Sequence, residues 1–198
     1  PPNVPVDETG CERPTQPGDR RIEGENYHQY HDTTSGNTGG AYRNDHVDIE
    51  PTTDEGGGFN IGWTDAGEWL TYTVNLSAGR YKVNTRVASE LGGARYSLTI
   101  NGNLINSDNV GQTGGWQSWE THPIGTFTLA QSGEHTLRLD ISSGPFNLNW
   151  IDLLKEDDSD GDGVDDDIDQ CPDTPSGTPV DAYGCPQNAA FIQAEDYI

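Results

Sequence analysis

The feature that most limits what this chain can fold into is a two-residue alternation of apolar and polar side chains, broken repeatedly by turn residues. In "WLTYTVNL" (69–76), Leu70, Tyr72, Val74 and Leu76 fall on one face. In "RYKVNTRVA" (80–88), Tyr81, Val83 and Val87 do the same, as do Tyr96, Leu98 and Ile100 in "RYSLTI" (95–100). "GTFTLA" (125–130), "EHTLRLDI" (134–141) and "FNLNWIDLL" (146–154) continue the pattern. Side chains in a strand point to alternate faces, so each stretch reads as a half-buried strand. "NG" at 101–102 marks a tight hairpin turn, and "SAGR" and "QSGE" punctuate the remainder. The pattern predicts about eight strands and no helix, arranged as two sheets packed face to face over residues 19–156. The absence of Met and the 25 glycines suit strands and turns. The fold class expected is therefore all-β, a β-sandwich.

Charge narrows the partners. Thirty-three acidic residues against ten basic give a net charge of −23. Phosphate backbones and anionic membrane surfaces would be repelled, which excludes nucleic acid and membrane as partners. No apolar run approaches the roughly 20 residues of a membrane-spanning helix.

The acidity concentrates in "DSDGDGVDDDIDQC" (158–171). Counting from Asp158, carboxylates fall at positions 1, 3 and 5 (Asp158, Asp160, Asp162). Gly163 stands at 6, the Val164 carbonyl at 7 and Asp169 at 12. This is the ligand spacing of an EF-hand-type loop: Ca²⁺ takes six to eight hard oxygens, and a tight turn of alternating carboxylates supplies them. Ca²⁺ is thus the expected cofactor, with ion binding coupled to the order of the segment.

An internal repeat frames the chain. "PVDETGC" (5–11) matches "PVDAYGC" (179–185), and "RIEGENY" (21–27) resembles "FIQAEDY" (191–197), in the same order. The expected organisation is the tail of one linker (1–18), a domain (19–156), a complete linker (157–188) and the first strand of the next domain (189–198). Cys171 and Cys185 lie within one linker and can close a short loop, while Cys11 corresponds to Cys185. Disulfide use implies a secreted or periplasmic setting.

Continued into "QCPDTPSGTPVDAYGC", the acidic loop resembles a thrombospondin type 3 repeat over roughly 157–186. That resemblance implies a calcium-stiffened, disulfide-stapled spacer. A second ion would draw on Asp165, Asp166, Asp167, Asp173 or Asp181.

In the central domain, "RIEGENY", "GGAYRNDHVDI", "GWTDAGEWLTYTV", "RYKVNTRVAS", "GGWQSWETH" and "FNLNWIDLL" resemble a family 6 carbohydrate-binding module. The resemblance implies a jelly-roll sandwich with a structural calcium and no catalysis, attached to a secreted polysaccharide-degrading enzyme. It implies a sugar site in loops at one end of the sandwich, where a Tyr and a Trp clamp a terminal sugar and an Asn bonds its hydroxyls. By motif these roles fall on Tyr42, Trp116 and Asn147. Their chemistry suits the task, since a sugar offers C–H groups on its faces and hydroxyls around its rim. Trp116 follows Gly114–Gly115 at a loop end, and Asn147 alternates with apolar Phe146 and Leu148. Trp63, Trp69, Trp119 and Trp150 are expected in the core. The segment "YHQYHDTTSGNTGG" (27–40) reads as a loop feeding the site, with Tyr30, His31 and Asp32 as secondary contacts. Glu23 and Glu25 share a face of the first strand, and the resemblance implies that they hold the structural calcium with Asp152 on the last. The competing reading of such carboxylates, a glycosidase acid/base pair, has no other feature in its favour. The expected ligand is agarose, with β-1,3-glucan or xylan as alternatives. The rival class is a calcium-dependent adhesive surface array. The setting expected is extracellular, with tandem modules and a catalytic domain in one parent chain.

Overall fold

The computed structural model describes residues 19–187 apart from 159, 165 and 167. The repeat copies at 5–11 and 191–197, together with Cys11, Asp165 and Asp167, lie outside the described residues. The chain divides into two units, Pro1–Lys155 and Glu156–Ile198.

The first unit is a β-sandwich. Its strands are β1 (Arg20–Glu23), β2 (Gln29–His31), β3 (Ile49–Pro51), β4 (Phe59–Ile61), β5 (Trp69–Leu76) and β6 (Gly79–Ala88). They continue as β7 (Ala94–Ile100), β8 (Asn103–Val110), β9 (Glu120–Leu129), β10 (Gly133–Ser143) and β11 (Asn147–Glu156). A 3₁₀ turn, Gly24–Asn26, follows β1. One sheet runs β3-β4-β11-β6-β9 with β1 also paired to β11, and the other runs β2-β5-β10-β7-β8. The predicted hairpin joins β7 to β8, with Asn101 and Gly102 both at positive φ (50° and 78°), the geometry a two-residue turn needs to match strand twist.

The alternating stripes meet between the sheets. Leu70, Tyr72, Val74 and Leu76 of β5 pack with Leu98 of β7 and with Leu137 and Leu139 of β10. Tyr81 and Phe127 stack at 5.3 Å, and Tyr96 and Phe146 at 5.1 Å. Each fully buried side chain of this size stabilises the fold by about 1.5–3 kcal/mol. The β11 strand departs from the alternation: Asn147, Asn149 and Asp152 are as buried as the apolar residues beside them. Polar partners cover its outward side, and that cover builds the site described next.

In the second unit the Cys171–Cys185 disulfide closes the loop, as expected, and Val180 and Pro186 form an isolated bridge. Thr174, buried in this unit, donates its hydroxyl to the carbonyls of Cys171 and Gly184.

Candidate functional site

Asn147 begins β11, and its Nδ2 donates to the Trp116 carbonyl at 2.8 Å and to Glu50 Oε1 at 3.0 Å. Its Oδ1 faces Gly62: a Cβ at that glycine would stand 3.1 Å from Asn147 Oδ1 and 3.7 Å from Glu50 Oε1. Gly62 therefore keeps the approach to the amide and the carboxylate open. The next residue is Trp63, 47% exposed. Its backbone is left-handed, with φ 45°. It is held there from both sides. The Gly62 N–H donates to the Asp48 carbonyl, and Thr64 exchanges two hydrogen bonds with the Phe146 backbone through its hydroxyl. Gly144 packs so closely on the Thr64 carbonyl that a Cβ would overlap it.

Asn147 thus ties the Trp116 loop to Glu50, and its Oδ1 faces Gly62, the residue before Trp63. The two indoles offer apolar faces, while the amide and the Glu50 carboxylate offer hydroxyl-binding groups. Trp116 is half-buried on the turn after Gly114–Gly115, where Ser118 N–H closes onto the Gly115 carbonyl. Behind the site, Asp54 accepts both arms of Arg86 and the Asn149 amide. Burial works to raise the Asp54 pKa, but Arg86 and Asn149 outweigh it and hold it below the ordinary range.

The other expected residues each have partners of their own. Tyr42 is 52% exposed at φ 62°. Its ring leans on Phe59 at 5.0 Å and its hydroxyl donates to Asn26 Oδ1, so Tyr42, like Trp63, presents an exposed ring on left-handed backbone. Tyr30 is half-buried against Tyr27 and His46. Asp32 caps the turn at Thr34. His31 pairs with Trp69 across β2 and β5. Trp69 is half-buried on the outer side of its sheet, with Arg138 over its ring at 4.2 Å, and is not a core residue. Trp119 is likewise only half-buried. Trp150 is buried, beneath Arg21 at 3.9 Å. The misplaced Trp63 had a legible signal: like Trp116, it follows a glycine and opens a polar turn.

The carboxylates expected to hold a structural calcium are not gathered at one point. The β1 strand does pair with β11, but Arg21 lies opposite Asp152 and takes both its oxygens at 2.7 Å. Burial leaves the Asp152 pKa raised even so. Glu23 lies opposite Trp150, two pairs further along. Glu25 sits in the 3₁₀ turn, buried, with its Oε2 lacking a hydrogen-bond partner, and burial pushes its pKa up to about 7. Glu25 keeps an oxygen suited to a cation, whereas the Arg21 pairing withdraws Asp152.

In the second unit Asp158, Asp160 and Asp162 bring ligand oxygens within 4.8 Å of one another, the one such acidic group among the described residues. The loop backbone turns around them: Gly161 and Gly163 N–H donate to Asp158, and Val164 N–H to Asp162 Oδ1. Asp162 Oδ2 is buried without a partner. A Cβ on Gly184 would meet both this oxygen and Asp169 Oδ1, so the bare glycine leaves them a shared space. Loss of solvent and the neighbouring Asp160, Asp169 and Asp158 raise the Asp162 pKa. This donor set fits a hard divalent cation.

A β-sandwich presenting indoles, an amide and a carboxylate at a loop end is the architecture of a lectin-like binding domain. The family model for the carbohydrate-binding module of family 35 matches residues 43–153, and the chain belongs to the carbohydrate-binding modules. A solved structure, the module CBM6cm-2 of Cellvibrio mixtus lichenase 5A in complex with cellotriose, is 34% identical with a TM-score of 0.56. The match covers 70% of this chain and 98% of that one. The clotting factor G alpha subunit of Tachypleus tridentatus is 35% identical over 113 residues, 55% of this chain and 16% of that protein. Beta-agarase AgaA of Microbulbifer thermotolerans is 36% identical over 96 residues, 47% of this chain and 22% of that enzyme. The chain thus spans less than a quarter of these two relatives, and the part that matches is a non-catalytic binding module.

Proposed function

We propose that this module binds the chain ends of a neutral polysaccharide, agarose in the first place, and holds an attached secreted glycoside hydrolase on its substrate. The observation that carries this reading is Asn147 tied to the Trp116 carbonyl and to Glu50, with Gly62 leaving its Oδ1 and Glu50 approachable and exposed aromatic rings at Tyr42 and Trp63. Indole faces take the C–H side of a sugar ring, and the amide and carboxylate take its hydroxyls. A likeness to a beta-agarase supports agarose. The family 6 module seen with cellotriose makes a β-glucan the competing ligand. The disulfide supports an extracellular setting. The second unit serves as a calcium-stiffened spacer of the thrombospondin type 3 kind, supported by the Asp158–Asp160–Asp162 cluster and the open Asp162 oxygen.

The test is calorimetry against agaro-oligosaccharide, laminarin and xylan fragments with the chain and its Trp116→Ala variant. Agaro-oligosaccharide binding by the chain, and a loss of at least about tenfold (about 1.4 kcal/mol) in the variant, is expected. Unchanged affinity in Trp116→Ala would remove this site from the function.

A further inference from the structure

We propose that Gln117 is the positioning residue that sets Trp116 for sugar binding, acting through a latch onto Glu50; this rests on the reading of the site given above. Gln117 directly follows Trp116, and its side chain turns inward to the β3–β4 hairpin. Its Oε1 accepts the Thr53 N–H at 2.8 Å, with the Thr52 and Thr53 hydroxyls at 3.4 and 3.3 Å. Its Nε2 donates to Glu50 Oε1 at 2.9 Å and to Asn60 Oδ1 at 3.0 Å. Both ends of the amide are therefore in use. The same Glu50 oxygen also receives Asn147 Nδ2, whose other hydrogen bond is to the Trp116 carbonyl.

Trp116 is thus anchored twice to one oxygen, once through its own carbonyl and Asn147, and once through the neighbouring side chain. Its loop runs through Gly114 (φ 100°) and Gly115, residues of wide backbone freedom, and its other ties, from Thr113 to Ser89 and from Ser118 and Thr113 to the Gly115 carbonyl, leave the Trp116 side chain itself unheld. An indole free to swing must be ordered when sugar binds, a cost that a platform already fixed on folding does not incur. The latch demands an amide: it needs an acceptor toward Thr53 and a donor toward Glu50. Glu50 is the titratable group bonded to Gln117. The next charges along the loop, Asp54 and Arg86, are paired with each other at 2.8 Å.

Gln117→Glu keeps size and shape but sets two carboxylates face to face. Such a pair cannot easily be fully ionised and takes up a shared proton as pH falls. The experiment measures agaro-oligosaccharide affinity by calorimetry from pH 5 to 8 for the parent chain, Gln117→Glu, and the exchange variant Gln117→Glu/Glu50→Gln, with thermal midpoints alongside. Expected are a roughly tenfold loss in Gln117→Glu at pH 8, recovery of affinity toward pH 5 that the parent does not show, and restored affinity at pH 8 in the exchange variant. In that variant a turn of the amide now at position 50 divides the contacts that one Glu50 oxygen makes in the parent, its Nε2 donating to the carboxylate now at position 117 and its Oε1 accepting from Asn147. Parent-like affinity of Gln117→Glu at pH 8 would overturn the latch, as would an exchange variant that is folded yet still weak. If Gln117→Glu does not fold, the folded exchange variant decides alone. A parent chain that binds no polysaccharide would instead sink the site reading itself, a separately visible outcome.

Discussion

At Trp63 a strained backbone presents an exposed indole. A bulky side chain at φ 45° is a genuine outlier, and such residues persist only where their surroundings hold them. Here the clamps are the Asp48 carbonyl on Gly62 and the Phe146 backbone on Thr64, the latter 82 residues away in sequence. Trp63→Gly should relieve about 1–2 kcal/mol of left-handed strain while losing the packing of an indole that is half in solvent. The expected result is a thermal midpoint within a few degrees of the parent together with loss of sugar binding. A large fall in the midpoint without loss of binding would make Trp63 a structural residue. The sequence reading sent Trp63 to the core because an indole counts as apolar wherever it sits. What exposes it is a backbone twist fixed by distant partners.

At the scale of elements, edge strands β8 and β9 belong to different sheets, and a polar pair ties them together. Asp108 of β8 meets His122 Nδ1 of β9 at 2.6 Å, with Glu120 3.6 Å from the other ring nitrogen. Beneath them Asp108 also receives the Tyr96 hydroxyl, which shares a hydrogen bond with Thr85 of β6. The hydrogen bond to Asp108 raises the His122 pKa against partial burial. Burial works to raise Asp108, but the bond and charge of His122 outweigh it and lower it. A histidine raised on folding contributes stability that is complete below its ordinary value of 6.5 and lost as pH rises through the folded one. Asp108, lowered on folding, contributes above its ordinary 3.8 and loses that as pH falls through its folded value. The thermal midpoint should therefore fall from pH 6 to pH 8, and His122→Gln should flatten that slope. An identical slope in the variant would exclude the pair as its source. The long strands other than β8 were legible from periodicity, and the Asn101–Gly102 hairpin from its turn residues. The short strands β2, β3 and β4, three residues each, were not, because so few positions show no alternation.

Across the whole molecule, chemistry is divided between a sandwich that carries every tryptophan and an acidic unit that carries none. Tryptophan fluorescence therefore reports the sandwich alone. If calcium orders the acidic unit, chelation should speed protease cleavage within 156–187, and added calcium should restore protection. Asp160→Asn should weaken that protection and leave the fluorescence melting curve unchanged. Equal cleavage with and without calcium would reject the spacer reading. The fold class and the acidic loop with its disulfide were readable from the chain itself, since alternation and ligand spacing are local properties set by backbone geometry. The exposure of Trp63, the capture of Asp152 by Arg21 and the meeting of Glu50, Gln117 and Asn147 were settled only by the tertiary structure. Each joins residues far apart in sequence, and hydrogen bonds and ion pairs depend on distances that only packing defines.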